Sequence, residues 1–197
     1  MRPMSKTLAL AFGVVAIGAL TASAQIIPLF QSVTPSGSDF LWTYTADLGQ
    51  DVRLENGNFF TIYDFSGLVG GAASVTHSNP NWTVDVANTG MTPPTVIASD
   101  DGSIPNVTFV WNGGTLAGPA NLGTFTITSS TNVQKLDDFS SRTIKNTGAA
   151  SGTTVDNIGK DALPTPGTPT AIPLPAAVTM FPLGALVAGF FYRRNRR

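Results

Sequence analysis

The sequence has no cysteine, and it has one histidine among 197 residues. Without cysteine there can be no disulfide, thiolate metal site or cysteine nucleophile, so a folded domain has to be stabilised by core burial. The single histidine, His77, stands beside Ser78 and Asn79 in a predicted turn, whereas serine–histidine catalysis needs a nucleophile and a carboxylate around the ring. Zinc sites need several His or Cys ligands. The sequence therefore predicts no catalytic residue, cofactor or metal site and favours a protein that is not an enzyme.

Charged residues are also scarce, at 12% of the chain, and they are unevenly placed. Six of the eleven basic residues lie in the first 6 and last 5 positions, while all twelve acidic residues lie between them. Residues 25–171 thus carry five basic and twelve acidic side chains, a formal charge of −7. Because nucleic-acid binding needs a basic surface, no nucleic-acid partner is predicted, and the charge suits a soluble surface protein.

The N-terminal segment, residues 1–24, has the three parts of a secretory signal. Arg2 and Lys6 form a positive start, residues 7–20 form an apolar core, and Ala22 and Ala24 flank a small-residue cleavage site. The apolar core is too short to span a membrane comfortably, which argues against an uncleaved anchor. We expect residues 1–24 to be a signal helix that directs Sec export and is removed by signal peptidase before Gln25.

Residues 25–146 show the period-2 alternation of β-strands. The clearest segments, rich in aromatic and β-branched residues, are 40–45, 59–65, 82–86, 107–111 and 124–128. Residues 135–145 fit either a last strand or an irregular edge. Asn56-Gly57 is predicted to form a type I′ hairpin turn, since both residues tolerate a positive φ. Short strands separated by turns predict an all-β fold, an antiparallel β-sandwich over residues 25–146.

Residues 147–171 are predicted to be a linker. Gly, Ala, Ser and Thr dominate residues 147–154, and prolines alternate with small residues over 164–169. The first composition favours a flexible chain and the second a semi-extended one. The linker would connect the sandwich to the C-terminal segment.

The C-terminal segment, residues 172–197, combines three features in a fixed order. The motif Ile172-Pro173-Leu174-Pro175-Ala176 comes first, followed by the uncharged run 176–192 and then by four arginines. The uncharged run is near the lower limit of length for a transmembrane helix. The arginines, which are expected to hold the end on the cytoplasmic side because moving them through hydrocarbon is costly, are Arg193, Arg194, Arg196 and Arg197. An ordinary single-pass anchor is the alternative interpretation.

This layout resembles the PEP-CTERM sorting signal of exported bacterial proteins, in its Val-Pro-Leu-Pro-Ala variant. Ile172 stands in place of the valine, and Leu174 in place of the glutamate of the commoner Pro-Glu-Pro form. The resemblance implies recognition by an exosortase, processing near the proline motif, and an inner-membrane intermediate with the body in the periplasm. The body would then reach the cell surface or the extracellular matrix. A weaker likeness of residues 40–130 to bodies common among such proteins brings no activity with it.

Two function hypotheses remain for the body. The first is a non-enzymatic surface or matrix protein. The second is a carbohydrate-binding module acting on exopolysaccharide, in which Trp82 and Trp111 stack on sugar rings. Each tryptophan, Trp42 included, is nevertheless in phase with the inward-facing residues of its strand, which favours core packing.

Two acidic turns are candidates for calcium binding. They are Asp100-Asp101-Gly102 and Asp137-Asp138. Calcium needs several oxygen ligands from one loop, and neither turn has the spaced D-x-D-x-D-G pattern. Exposed acidic turns are therefore the favoured interpretation.

Overall fold

The computed structural model describes residues 25–167, and the chain is all-β over that range. One 3₁₀ turn, Gly71–Ser74, is the single helical element there, and no helix among these residues is long and apolar enough to cross a membrane. The predicted signal helix and the C-terminal membrane helix lie outside the described residues. The strands are β1 Ile26–Ser36, β2 Asp39–Leu48, β3 Val52–Leu54, β4 Phe59–Ile62, β5 Val75–His77, β6 Trp82–Ala87, β7 Asn106–Trp111, β8 Leu116–Ala117, β9 Ala120–Ser129, β10 Gln134–Lys145 and β11 Thr154–Pro164.

The strands form two antiparallel sheets in a sandwich-like arrangement. The smaller sheet has the order β1-β2-β9-β5. The larger has the order β6-β7-β4-β10-β3-β8, with β11 paired along the other edge of β10. The predicted all-β antiparallel fold is confirmed.

Aromatic rings from both sheets fill the space between them. Phe60 of the larger sheet lies with its ring centroid 4.7 Å from Phe109 and 5.1 Å from Phe125, which belongs to the smaller sheet. Trp82 packs edge-on to Phe60 at 5.5 Å. All four rings are almost fully buried. Because aromatic side chains bury large areas and gain from edge-on packing, this cluster joins the two sheets into one core.

Most predicted strands are present, with two corrections at turns. The segment predicted as 59–65 leaves the sheet after Ile62, because Asp64 adopts a left-handed φ of 51°. The turn at Asn56-Gly57 is not a type I′ hairpin: only Gly57 has a positive φ, and β3 and β4 pair with other strands rather than with each other. Residues 135–145, which fit either a strand or an irregular edge by sequence, belong to β10.

The linker prediction is wrong for residues 154–164. They form β11, which pairs with β10 over eleven consecutive residue pairs. Gly159 lies opposite Phe139, and a Cβ at this glycine would be 2.6 Å from the Phe139 ring. Backbone pairing and this close approach hold the strand although its sequence has little apolar alternation. Residues 147–153 are the β10–β11 connection rather than the start of a linker.

Side chains bridge the two sheets where β1 and β11 lie next to each other. The Asp161 carboxylate on β11 accepts the backbone N–H of Phe30 on β1 at 2.8 Å. The Tyr44 hydroxyl donates to the carbonyl of Ala162 at 2.9 Å. Pro28 lies within β1, and edge strands are where proline is tolerated. These contacts occupy polar groups that an unprotected edge would leave free.

Candidate functional site

The three tryptophans belong to the core. Trp42, Trp82 and Trp111 are 0, 2 and 3% exposed. Their indole N–H groups donate to backbone carbonyls, as Trp82 does to Leu122 at 3.3 Å and Trp111 to Gly114 at 2.8 Å. The core-packing prediction is confirmed. The prediction that Trp82 and Trp111 stack on a glycan is wrong, because a sugar ring needs an open aromatic face and these faces are covered by other side chains.

His77 has a structural partner within its own turn. Its Nδ1 donates to the carbonyl of Asn79 at 2.8 Å, which leaves Nε2 as the acceptor in the neutral ring. This contact fixes the β5–β6 turn, and no hydroxyl nucleophile among residues 25–167 bonds the histidine ring.

A long connection between β6 and β7, residues 88–105, lies across the outer face of the larger sheet; we refer to it as the cover loop. The Thr61 hydroxyl donates to the carbonyl of Met91 at 2.7 Å. The Tyr63 hydroxyl contacts Ser140 Oγ at 2.7 Å and the cover-loop residue Thr92 at 2.8 Å. Because these hydroxyls point away from the core, they would face water if the loop were absent. The cover loop therefore buries a polar strip of the sheet.

Asp64 and one aspartate of the first calcium candidate, Asp100, hold the part of the cover loop that precedes β7. Asp64 Oδ1 accepts the backbone N–H of Asp101 at 2.8 Å, and Asp100 Oδ1 accepts the side-chain amide of Asn106 at 3.0 Å. Burial raises the pKa of Asp64, and the hydrogen bond from Asp101 opposes that rise. Within residues 25–167 no group of three or more His, Cys, Asp or Glu side chains is arranged to hold a metal ion.

The second acidic pair is not the exposed turn that the sequence predicted: Asp137 and Asp138 are buried residues of β10 and face lysines. Asp137 pairs with Lys135, and Asp138 Oδ1 accepts from Lys160 Nζ at 2.5 Å. Burial raises the pKa of Asp138, but the hydrogen bonds from Lys160 and from the backbone N–H of Ser99 outweigh it and leave the pKa lowered. Asp138 thereby joins the sheet to the cover loop.

A half-buried ion pair contacts the middle of the cover loop. Arg142 on β10 and Asp156 on β11 make two hydrogen bonds of 2.8 and 3.0 Å. The Thr95 hydroxyl donates to the same carboxylate at 2.7 Å. The hydrogen bond from Arg142 lowers the pKa of Asp156. The outer face of the larger sheet thus combines ion pairs with a covering segment.

The outer face of the smaller sheet has a different surface. Its strands alternate large inward residues with outward hydroxyl residues, as in Trp42-Thr43-Tyr44 and Phe125-Thr126-Ile127. The register places Ser32, Thr43, Thr126 and Thr76 side by side in one row across all four strands. We refer to this surface as the hydroxyl face, which comprises Ser32, Thr34, Thr43, Thr45, Thr76, Thr124, Thr126 and Thr128.

The hydroxyl face is free of charge over its centre. β1, β5 and β9 contain no Asp, Glu, Lys or Arg, and β2 contains only Asp39 and Asp47, near its two ends. This surface was not predicted from the sequence. The Thr-x-Thr spacing of residues 43–45 and 124–128 is a visible signal, but only the strand register shows that the threonines line up.

Two open cavities add no reactive group. One of about 330 Å³ is lined by hydroxyl residues, such as Ser66 and Thr131, together with the apolar residues Ile104, Pro105 and Pro166. The Ser66 hydroxyl is buried and makes no hydrogen bond within the described part of the chain. The other, of about 370 Å³, lies beside Asp47 and Asn121. Neither has the convergent titratable groups that acid–base catalysis needs.

The predicted targeting residues fall almost entirely outside the described range. This applies to the cleavage-site residues Ala22 and Ala24, to the motif at positions 172–176 and to the four terminal arginines. Gln25 is described, and its carbonyl accepts the backbone N–H of Gly49 at 2.9 Å. No protein-family model, curated protein or solved structure matches this chain.

Proposed function

We propose that the chain is an exported bacterial surface or matrix protein, delivered by Sec export and then processed at its C-terminus by an exosortase. The observation that carries this proposal is the order of proline motif, uncharged run and arginines in residues 172–197. Its partners are signal peptidase, the Sec machinery, the exosortase and, transiently, the inner membrane. The β-body is cargo that passes through the periplasm to the cell surface.

The limits of the folded body support this proposal. β1 begins at Ile26, directly after the expected cleavage position, and β11 ends at Pro164. The aromatic core lies between these limits, so removal of either end would not take strands out of the sandwich. Only the segment 165–171 remains before the proline motif. In an extended conformation it reaches about 22 Å, so the body would stay close to the membrane until it is released.

The C-terminal run also supports a temporary membrane stay. As a helix, residues 176–192 measure about 26 Å, against about 30 Å for the hydrocarbon core. Thr179, Pro182, Gly184 and Gly189 weaken it further as a span. A stable anchor favours a longer and more uniformly apolar helix, whereas an intermediate of processing needs only to be held while the enzyme acts.

A non-catalytic role for the body is supported by how its polar groups are used. Asp64, Asp138 and Asp156 accept hydrogen bonds that hold the cover loop, and His77 caps a turn. Carbohydrate binding is the second candidate, but it requires a surface other than the buried tryptophans.

The proposal is tested by expressing the full chain in two otherwise identical hosts, one with and one without the exosortase. We expect a body that starts at Gln25 and lacks Arg197 only where the enzyme is present. A Pro173→Ala/Pro175→Ala variant should keep its C-terminus in both hosts, whereas Pro166→Ala, outside the motif, should be processed normally. An intact Arg197 in both hosts would refute the sorting proposal.

A further inference from the structure

The hydroxyl face is a regular array. Neighbouring strands are about 4.8 Å apart, and alternate residues along one strand are about 6.7 Å apart. The row through Thr43 is flanked by a second row, in which Thr45 pairs with Thr124, and by a third, in which Leu41 pairs with Thr128. The surface therefore offers hydroxyl groups at repeated spacings in two directions.

Several of these hydroxyls have no hydrogen-bond partner among residues 25–167. Gln31 donates to Thr45, and the hydroxyls of Thr76 and Thr126 bond each other. In the part of the chain that the structure describes, the hydroxyls of Thr43, Thr124 and Thr128 make no hydrogen bond. On the larger sheet the corresponding outward hydroxyls are bonded beneath the cover loop. The smaller sheet thus keeps donors and acceptors available for a ligand, next to threonine methyl groups.

The shape and charge of the array restrict its ligand. Neither of the two cavities described above is lined by a hydroxyl-face residue, whereas small molecules bind in pockets that enclose them. It lacks the basic residues that would attract a polyanion such as nucleic acid or an acidic lipid surface. Its acidic residues, Asp39 and Asp47, lie near the two ends of β2, so the central rows carry no group that would attract a polycation. An uncharged ligand of extended shape is the complementary partner.

The size of the array argues against a second copy of this chain. The array extends over three spacings between neighbouring strands and two spacings between alternate residues, which gives an area of roughly 200 Å². Stable protein interfaces bury about 800 Å² on each partner. A narrow polymer can instead gain affinity by laying several repeating units along the rows, since each further contact is intramolecular once the first has formed.

We propose that the hydroxyl face binds an extended, uncharged polysaccharide. The sugar hydroxyls exchange hydrogen bonds with Thr43, Thr124 and Thr128, and the apolar C–H faces of the sugars lie against the threonine methyl groups. This inference goes beyond export, because it needs only the folded body and no part of the sorting signal.

The test is native gel electrophoresis of the full chain, purified in a detergent without a sugar headgroup. The gels contain hydroxyethyl cellulose, dextran or the anionic polysaccharide alginate. A Thr43→Val/Thr124→Val variant keeps side-chain volume and removes two of the hydroxyls assigned to sugar contacts. Thr154→Val, at an exposed threonine of β11, is the matched control. Thermal unfolding of each variant shows whether the sandwich is intact.

We expect a neutral polymer to retard the wild type, with little change in about 1 M NaCl, where the Debye length is about 3 Å. The double variant should bind at least about fivefold more weakly, because each net hydrogen bond is worth a factor of about 2 to 13. Thr154→Val should bind like the wild type. Equal retardation of all variants, retardation by alginate alone, or none at all would overturn the proposal. Self-association or ice-growth inhibition without polysaccharide retention would assign the surface to another partner and overturn it too.

Discussion

The two outer faces of the sandwich use polar side chains in different ways. On the larger sheet, Thr61, Tyr63 and Ser140 are bonded beneath the cover loop, and two ion pairs link β10 to β11. On the smaller sheet, the hydroxyl face has no covering segment among the described residues and no charge at its centre. In both sheets, outward polar residues alternate with inward residues of the same aromatic core. Sequence alternation alone therefore does not distinguish a face that stabilises the fold from one that is free to bind a ligand.

This difference indicates that the two outer faces have different roles. A polar group that is buried and paired stabilises the fold, and losing its partner is costly because the remaining group is desolvated. A polar group that stays hydrated contributes little to stability and can change partners at little cost. We therefore expect substitutions on the larger sheet to act on folding and those on the smaller sheet to act on binding.

The largest effect is expected in the core that both faces share. Phe60→Ala should lower the free energy of unfolding by about 3–5 kcal/mol, because it removes a ring packed against Phe109, Phe125 and Trp82. Urea denaturation followed by tryptophan fluorescence measures it. A loss below about 1 kcal/mol would show that the aromatic cluster does not join the two sheets.

A smaller loss is expected beneath the cover loop. Tyr63→Phe removes the hydroxyl that bonds Ser140 and Thr92, so the buried Ser140 loses a partner. We expect a decrease of about 1–3 kcal/mol in unfolding free energy and faster hydrogen exchange in residues 88–105. If Tyr63→Phe lowers the free energy of unfolding but leaves hydrogen exchange in residues 88–105 unchanged, the tyrosine does not hold the cover loop.

The ion pair on the larger sheet should make stability depend on pH. Arg142 lowers the folded-state pKa of Asp156 below its ordinary value of 3.8, so the carboxylate stabilises the fold above about pH 4. That contribution is lost as the pH falls through the lowered pKa. Asp156→Asn should cost about 1–2 kcal/mol at pH 7 and flatten the acid decline. Denaturation curves from pH 2 to about 7 measure both.

Asp161 should make stability change with pH in the opposite direction, and the same denaturation curves measure it. Burial raises its folded-state pKa, so its contribution to stability decreases as the pH rises through that value. Asp161→Asn should remove this decrease. If the free energy of unfolding falls equally with decreasing pH in the wild type and in Asp156→Asn, the role given to the Arg142–Asp156 ion pair is contradicted.

The smallest effect on stability is expected on the hydroxyl face. Thr43→Val and Thr124→Val should each change the unfolding free energy by less than about 0.5 kcal/mol, since the side chains are partly hydrated and their volume is kept. Thermal unfolding of the single variants measures this. A loss as large as that of Tyr63→Phe would show that both faces are structural and would end the contrast between them.

The sequence was sufficient for strands with strong alternation. β2, β6 and β7 place Trp42, Trp82 and Trp111 inward, as period-2 reasoning predicts. β11 was missed because Gly159 and Lys160 interrupt its apolar positions. Its stability comes from pairing along β10, a long-range contact that no local pattern contains.

The candidate surfaces show the same limit. Alternation predicts that Thr43 and Thr126 point outward, but their alignment in one row depends on the register between β2 and β9. The position of the cover loop could not be predicted either, because its anchors Asp138 and Asp156 lie on β10 and β11, far from the loop in sequence. Pairing between distant strands, rather than composition, separates the covered face from the open one.

The most direct test of the whole account is the mass of the protein recovered from the surface of cells that contain an exosortase, with its terminal peptides sequenced. We predict a single sandwich body that begins at Gln25 and ends near the Ile172–Ala176 motif, without the arginines. Recovery of a chain that still carries Met1 or Arg197 would contradict the proposal that both ends are removable targeting segments.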